Sequence, residues 1–197
     1  MARPRQVSDE AIVEAARRCF LEHGAGVSTT RIAEEVGLSQ AALFKRFGTK
    51  ADLLQRALLP PAVPEWIAAV EQGLDDRPIP EQLANLATAI ATFFRDYIPC
   101  LMTLRASGHD TKQMLTNHYE VPPPVRARLA LITWFDEAMA QGRMRSVDSS
   151  ATAEALIGSL QGHAFLSHMS GMQPDPERFA HHIVDLLWRG LEPEPTR

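Results

Sequence analysis

Ser28-Thr29-Thr30-Arg31-Ile32-Ala33-Glu34-Glu35-Val36-Gly37-Leu38-Ser39-Gln40-Ala41-Ala42-Leu43-Phe44-Lys45-Arg46-Phe47-Gly48-Thr49-Lys50-Ala51-Asp52-Leu53-Leu54 is the stretch on which the fold turns. Behind Ser28, Ile32, Ala33 and Val36 keep helical spacing until Gly37. Ser39 opens a second run, with Leu43 and Phe47 one turn apart, and Gly48 closes it. A hydroxyl or carboxylate before a periodic run and a glycine after it are helix start and stop signals. Thr49-Lys50-Ala51-Asp52 then has the spacing of a capping box ahead of Leu53, Leu54, Ala57 and Leu58. Two short helices joined by Val36-Gly37-Leu38-Ser39 predict a helix-turn-helix: Gly37 supplies the positive φ of a tight turn, and Leu38 fills the angle between the helices. Toward the N-terminus, Ile12, Ala16, Cys19, Phe20 and His23 predict a preceding helix, capped by Ser8, with Asp9 and Glu10 at its positive end and Gly24 as its stop.

Beyond residue 58 the prolines divide the chain. Pro60, Pro61 and Pro64, Pro78 and Pro80, Pro99, Pro122 to Pro124, Pro174 and Pro176 leave 81–98, 100–121, 125–173 and 177–192 as the segments where helices can run. No segment alternates with period two, and no Asn-Gly or Asp-Gly turn joins β-branched runs. The predicted fold is all-α with about nine helices, in a small N-terminal domain over 1–58 and a larger helical domain over 59–197.

The 197 residues are 45% hydrophobic and 22% charged, which excludes a disordered or fibrous chain. Asp9, Glu10 and Glu14 interrupt what would have to be the apolar part of an export signal. Ala155 to Pro174 has no Lys, Arg, Asp or Glu, but its Ser, Gln and His residues predict a buried helix and no membrane partner. Cys19 and Cys100 lack metal-ligand spacing and fit a reducing cytoplasm, the expected location. The net charge of −4 hides an asymmetry: Arg3, Arg5, Arg17, Arg18, Arg31, Lys45, Arg46, Lys50 and Arg56 outnumber the acids of residues 1–58, while the remainder is acidic. A basic piece on an acidic body suits a polyanion partner for the first part.

The second helix of the pair carries Gln40, Lys45 and Arg46. Ser39, Thr49 and Lys50 lie beside it as phosphate-suited groups, and Ala41 and Ala42 are small enough to let it approach base edges. Residues 8–58 resemble the N-terminal domain of tetracycline-repressor (TetR) family transcription regulators, whose pattern of Thr, Ile-Ala, Gly-Val-Ser, Leu-Tyr, His-Phe, Lys and Leu-Leu matches the quoted run at these spacings. The resemblance implies a DNA-binding regulator, a repressor more than an activator, that reads a palindromic double-stranded operator as a homodimer. An apolar small molecule in the C-terminal body would shift the fourth helix and lower operator affinity. It further implies that Gln40, Ala41 and Phe44 face bases, while Thr29, Thr30, Lys45, Arg46 and Lys50 face phosphates. Two positions depart from the family. Phe44 replaces the usual Tyr and lacks its hydroxyl, and Arg46 replaces the usual His and adds a permanent cation. Arg3 and Arg5 read either as a minor-groove arm or as a solvated basic tail.

In the C-terminal body, a helical wheel over 151–169 gives two apolar faces. Ala153, Leu156, Ile157, Leu160 and Ala164 form one; Ala151, Ala155, Gly158, Gly162, Phe165, Leu166 and Met169 form the other. The second face meets either another helix of its own subunit or a second subunit. The last helix is apolar over a wide arc through Phe179, Ile183, Leu186 and Leu187. Two such helices per subunit would pair into a four-helix bundle, with Gly158, Gly162, Phe165, Met169, Phe179, Ile183 and Leu187 at the interface. Phe93, Tyr97, Met102, His118, Trp134, Phe135 and His163 are candidates for lining an apolar ligand pocket, and core packing accounts for most such residues equally well. No nucleophile–base pair, paired carboxylates, metal cluster or phosphate-cradling glycine loop is evident, so neither an enzyme nor a cofactor or metal site is expected. The competing reading is a helical small-molecule-binding protein, sensing or sequestering, without specific DNA affinity.

Overall fold

The computed structural model describes residues 7–172 and 175–191, and the described regular structure is entirely helical. Among the described residues there are ten helices: α1 Asp9–His23, α2 Thr29–Glu35, α3 Gln40–Phe47, α4 Lys50–Leu58, α5 Glu65–Glu71, α6 Ile79–Ala106, α7 Thr111–His118, α8 Pro123–Ala140, α9 Ser149–Ser170 and α10 Pro176–Leu191. Arg3 and Arg5 lie outside the described residues.

Local chemistry sets the ends of the first four helices. The side chains of Ser8, Ser28, Ser39 and Thr49 accept backbone N–H bonds from Ala11, Arg31, Ala42 and Asp52, so each satisfies a donor the helix cannot. Asp52 completes the capping box by accepting from the Thr49 N–H at 2.8 Å. Gly48, at φ +78°, precedes this box, and a Cβ there would stand 2.7 Å from Asp52 Oδ2. The position therefore needs glycine for its backbone conformation and for its space. Gly37 takes φ +69°, as its place in the turn requires.

The chain packs as two compact units, Met1–Leu59 with Pro99–Leu115, and Pro60–Ile98 with Thr116–Arg197. In the first, α1 packs on α2 and α4, and α3 on α2 and α4, around Ile12, Phe20, Ile32, Leu43, Leu53 and Leu58. In the second, α8 packs on α5 and α9, and α9 on α10, around Ile67, Leu83, Ile90, Leu131, Phe135, Leu156 and Leu160.

Two sequence-based expectations need correction. Helices were expected to stop at Pro99, yet α6 runs through it. Proline removes one N–H from the helical ladder, a local cost that tertiary packing can offset; here Ile98 and Cys100 on either side of it, and Leu104 one turn later, are all buried. The proline marks a change of packing unit within one helix, so 99–115 packs with residues that precede the proposed cut after 58. The ten described helices agree with the expected count of about nine, but α5 forms in a gap between proline clusters where no helical segment was expected. Burial of Trp66, Ile67 and Val70 holds this two-turn helix where its propensity alone would not.

Candidate functional site

The helix pair α2–α3 presents one surface built from short segments with fixed ends. Leu43 and Phe47 of α3 are buried, which turns Gln40, Ala41, Phe44 and Lys45 outward, all exposed. Thr30 at the start of α2 and Ser39 and Thr49 at the flanks of α3 are exposed too, while Lys50 is half-buried. The exposed set combines a carboxamide, hydroxyls and an ammonium group around the small Ala41 and the exposed Phe44. That mixture can donate hydrogen bonds to phosphates and present both a donor and an acceptor to a base edge.

Besides the capping Ser39 and Thr49, three further expected contact residues, Thr29, Gln40 and Arg46, are engaged within the chain. Thr29 is only 6% exposed, and its Oγ1 accepts a 2.7 Å hydrogen bond from Gln40 Nε2. Arg46 donates to the Val7 carbonyl at 2.7 Å and pairs with Asp9. The cation that replaces the family's usual histidine therefore fastens the N-terminal end of α1 to the last turn of α3. Neither link was visible in sequence, because the partners lie eleven and more than thirty residues apart. Close by, the hydroxyl and then the backbone N–H of Thr49 hold the Asp52 carboxyl below its usual range, so it is charged within the cap at neutral pH.

In the C-terminal unit the two faces of α9 separate cleanly. Ala153, Leu156, Leu160 and Ala164 are buried and Ile157 is half-buried, whereas Ala151, Ala155, Gly158, Phe165, Leu166 and Met169 are exposed. Phe165 is 39% and Met169 61% exposed, and Leu186 of α10 reaches 67%. A Cβ added at Gly158 or Gly162 would meet nothing within 4 Å. Of the interface residues expected on α10, Phe179 stacks on His163 of α9, with ring centroids 3.7 Å apart, and Ile183 and Leu187 are half-buried. Leu166 and Leu186, named only as members of apolar arcs, are the most exposed large hydrophobic side chains among the described residues.

The expected ligand residues are scattered. Phe93 stacks on Tyr97 at 5.3 Å and meets Trp66 at 6.1 Å; Trp134 and Phe135 are core. His118 is exposed and sets its ring against Tyr119, and Met102 lies on the part of α6 that belongs to the first unit. His163 has a buried Nε2 without a hydrogen-bond partner among the described residues. Two clefts adjoin Trp134. One, of about 360 Å³, is lined by Trp66, Gln72, Asp75, Arg77, Asn85 and their neighbours. The other, of about 440 Å³, is lined by Glu71, Val121, Arg126, Leu129, Glu137 and their neighbours. Of the seven expected residues, Trp134 alone lines these clefts. Gln82, a buried amide near the start of α6, also lines the first. It accepts from the Asp75 N–H and donates to the carbonyls of Asp75 and Arg77, tying down the α5–α6 connection. A polar side chain at an inward position of α6 was the available signal. Tyr119, on the connection between α7 and α8, donates to the Pro60 carbonyl, and burial pushes its phenol up to about 12.

Two family descriptions match the chain. "Bacterial regulatory proteins, tetR family" covers residues 12–57, and "AefR-like transcriptional repressor, C-terminal domain" covers residues 81–186. The HTH-type transcriptional repressor AcnR of Corynebacterium glutamicum is 47% identical over 47 residues, which are 23% of this chain and 25% of that protein. The chain thus matches about a quarter of the length of this curated relative. Among solved structures, the TetR family transcriptional regulator PfmR from Thermus thermophilus superposes with a TM-score of 0.68 at 27% identity, covering 92% of this chain and 98% of that one. A TetR-family regulator from Mesorhizobium loti superposes with a TM-score of 0.71 at 19% identity, covering 93% and 96%.

Proposed function

The chain belongs to the tetR family of bacterial regulatory proteins, and we propose that it is a homodimeric repressor that binds a palindromic operator through α3 and is released by a small apolar ligand held in its C-terminal unit. The observation that carries this reading is the outward face of α3, where Gln40, Ala41, Phe44 and Lys45 stand exposed on a helix whose other side is buried. A helix of this kind enters a major groove with its N-terminal residues at base edges. Self-association is supported by the uncovered apolar face of α9, because large exposed apolar surfaces mark interaction sites. A two-fold pairing would set two copies of α3 against two half-sites. Ligand binding is supported by the clefts beside Trp134, which have the volume of small-molecule sites. The proposal places the protein in the cytoplasm, and no described helix is long and apolar enough to cross a membrane.

A gel shift of the full chain on the DNA flanking its own gene tests the reading, repeated over a salt series. Specific retention that weakens steeply with salt is the expected result. Retention that does not depend on salt, or none at all, would overturn it in favour of a small-molecule-binding protein without specific DNA affinity.

A further inference from the structure

The hydrogen bond between Gln40 and Thr29 joins the first residue of α3 to the first residue of α2. Both residues are held in place by the caps beside them, since Ser39 fixes the start of α3 and Ser28 the start of α2. Thr29 is buried, so its hydroxyl is a fixed point for the exposed Gln40 side chain. We propose that Thr29 is a positioning residue for base recognition, which orients the Gln40 carboxamide so that it selects adenine. The inference rests on the DNA-binding reading above and deepens it.

The number of free donors and acceptors on Gln40 decides which base it fits. A glutamine amide offers two N–H donors and one carbonyl oxygen. In this chain one N–H is given to Thr29 Oγ1, leaving one N–H and the oxygen. Adenine presents an acceptor at N7 and a donor at N6 in the major groove, which match that remaining pair; guanine presents two acceptors, N7 and O6, and would need both N–H groups. An untethered glutamine can serve either purine. A tethered one satisfies adenine with two bonds and guanine with one. Thymine and cytosine each accept or donate a single bond there. Fixing the side chain before binding also removes part of the cost of ordering a flexible chain at the interface.

The test uses the full chain and a randomised duplex pool from which the wild-type protein selects its site. Binding to the selected site is then compared with binding to each single-base change, for wild type, Gln40→Ala, Thr29→Val and Thr29→Ser. Gln40→Ala identifies the position that Gln40 reads. At that position Thr29→Val is expected to lose about tenfold of the preference for adenine over guanine, on the scale of one bidentate contact. Other positions and the salt dependence should stay unchanged, and Thr29→Ser, which keeps the hydroxyl, should behave as wild type. A uniform loss of affinity at all positions with a shallower salt dependence would instead make Thr29 a phosphate contact and overturn the proposal. So would an unchanged preference in Thr29→Val. Should that variant fail to fold, side-chain amide NMR of the free wild-type protein decides the matter. One Gln40 amide proton should exchange with solvent more slowly than its twin, and equal rates would refute the tether. A wild-type protein that selects no sequence from the pool would refute the DNA-binding reading itself, which separates that failure from a failure of the Thr29 assignment.

Discussion

Helices α3 and α9 each leave one face uncovered in the single chain, and the chemistry of the two faces is opposite. On α3 the outward residues are Gln40, Ala41, Phe44, Lys45 and Arg46, polar or cationic apart from Ala41 and Phe44. On α9 they are Ala151, Ala155, Gly158, Phe165, Leu166 and Met169 along the apolar arc. Water solvates the first face at little cost, so its exposure gives no drive to associate; its complement is a polyanion that exchanges counterions for ammonium groups. Water is a poor neighbour for the second, and the drive to cover it is the hydrophobic effect. Exposure alone therefore says little about function, whereas exposure combined with chemistry says what kind of partner each face takes.

The largest effect should come from placing a charge on the apolar face. Phe165→Asp is expected to weaken self-association by on the order of a hundredfold or more, since a carboxylate would be buried without a partner. Sedimentation at micromolar concentration checks it, and a wild-type monomer under those conditions would remove the contrast between the faces. Gly158→Leu sharpens the same point by acting in two directions. An added side chain meets nothing within the chain, so helix propensity should stabilise the fold by about 1 kcal/mol, while overpacking at the interface should weaken association by about 1–3 kcal/mol. On the polar face, Lys45→Ala should lower affinity on all DNA sequences alike and reduce the salt slope by about one. Arg46→Ala should instead loosen the start of α1, because that guanidinium is held by Asp9 and Val7. A full loss of one phosphate contact from Arg46→Ala, with an unchanged melting temperature, would contradict that assignment.

The two faces also differ in how far sequence revealed them. Ser8, Ser28, Ser39, Thr49 and Gly37 act within three or four residues of themselves, and all occupy the cap and turn positions their spacing implied. On α9 the helical period showed two apolar arcs but not which of them is buried, a choice made by packing against α8 and α10. What spacing could not reveal were links made by folding. Thr29 with Gln40, Arg46 with Asp9, and Gln82 with the Asp75–Arg77 turn join segments that meet only in the packed chain. Pro99 was misleading for the same reason, as burial on both sides outweighed a local helix-breaking signal.

The smallest expected effect separates the two units by pH. Both tyrosines and all three tryptophans, Trp66, Trp134 and Trp188, lie beyond residue 59 and outside 99–115, so intrinsic fluorescence reports on the C-terminal unit alone. Tyr119 is buried there with its hydroxyl on the Pro60 carbonyl, and its phenol is raised to about 12 from an ordinary value near 10. A raised value means the folded state holds the proton more tightly than the unfolded chain does. The contribution is therefore complete below pH 10 and is lost as pH climbs from 10 toward 12. Tyr119→Phe should cost about 1 kcal/mol at neutral pH, because the buried carbonyl loses its donor. It should also flatten the alkaline decline in stability over that window, measured by tryptophan fluorescence during urea unfolding. An alkaline decline of the same depth in Tyr119→Phe would assign the pH sensitivity to another group and leave the phenol with a packing role only.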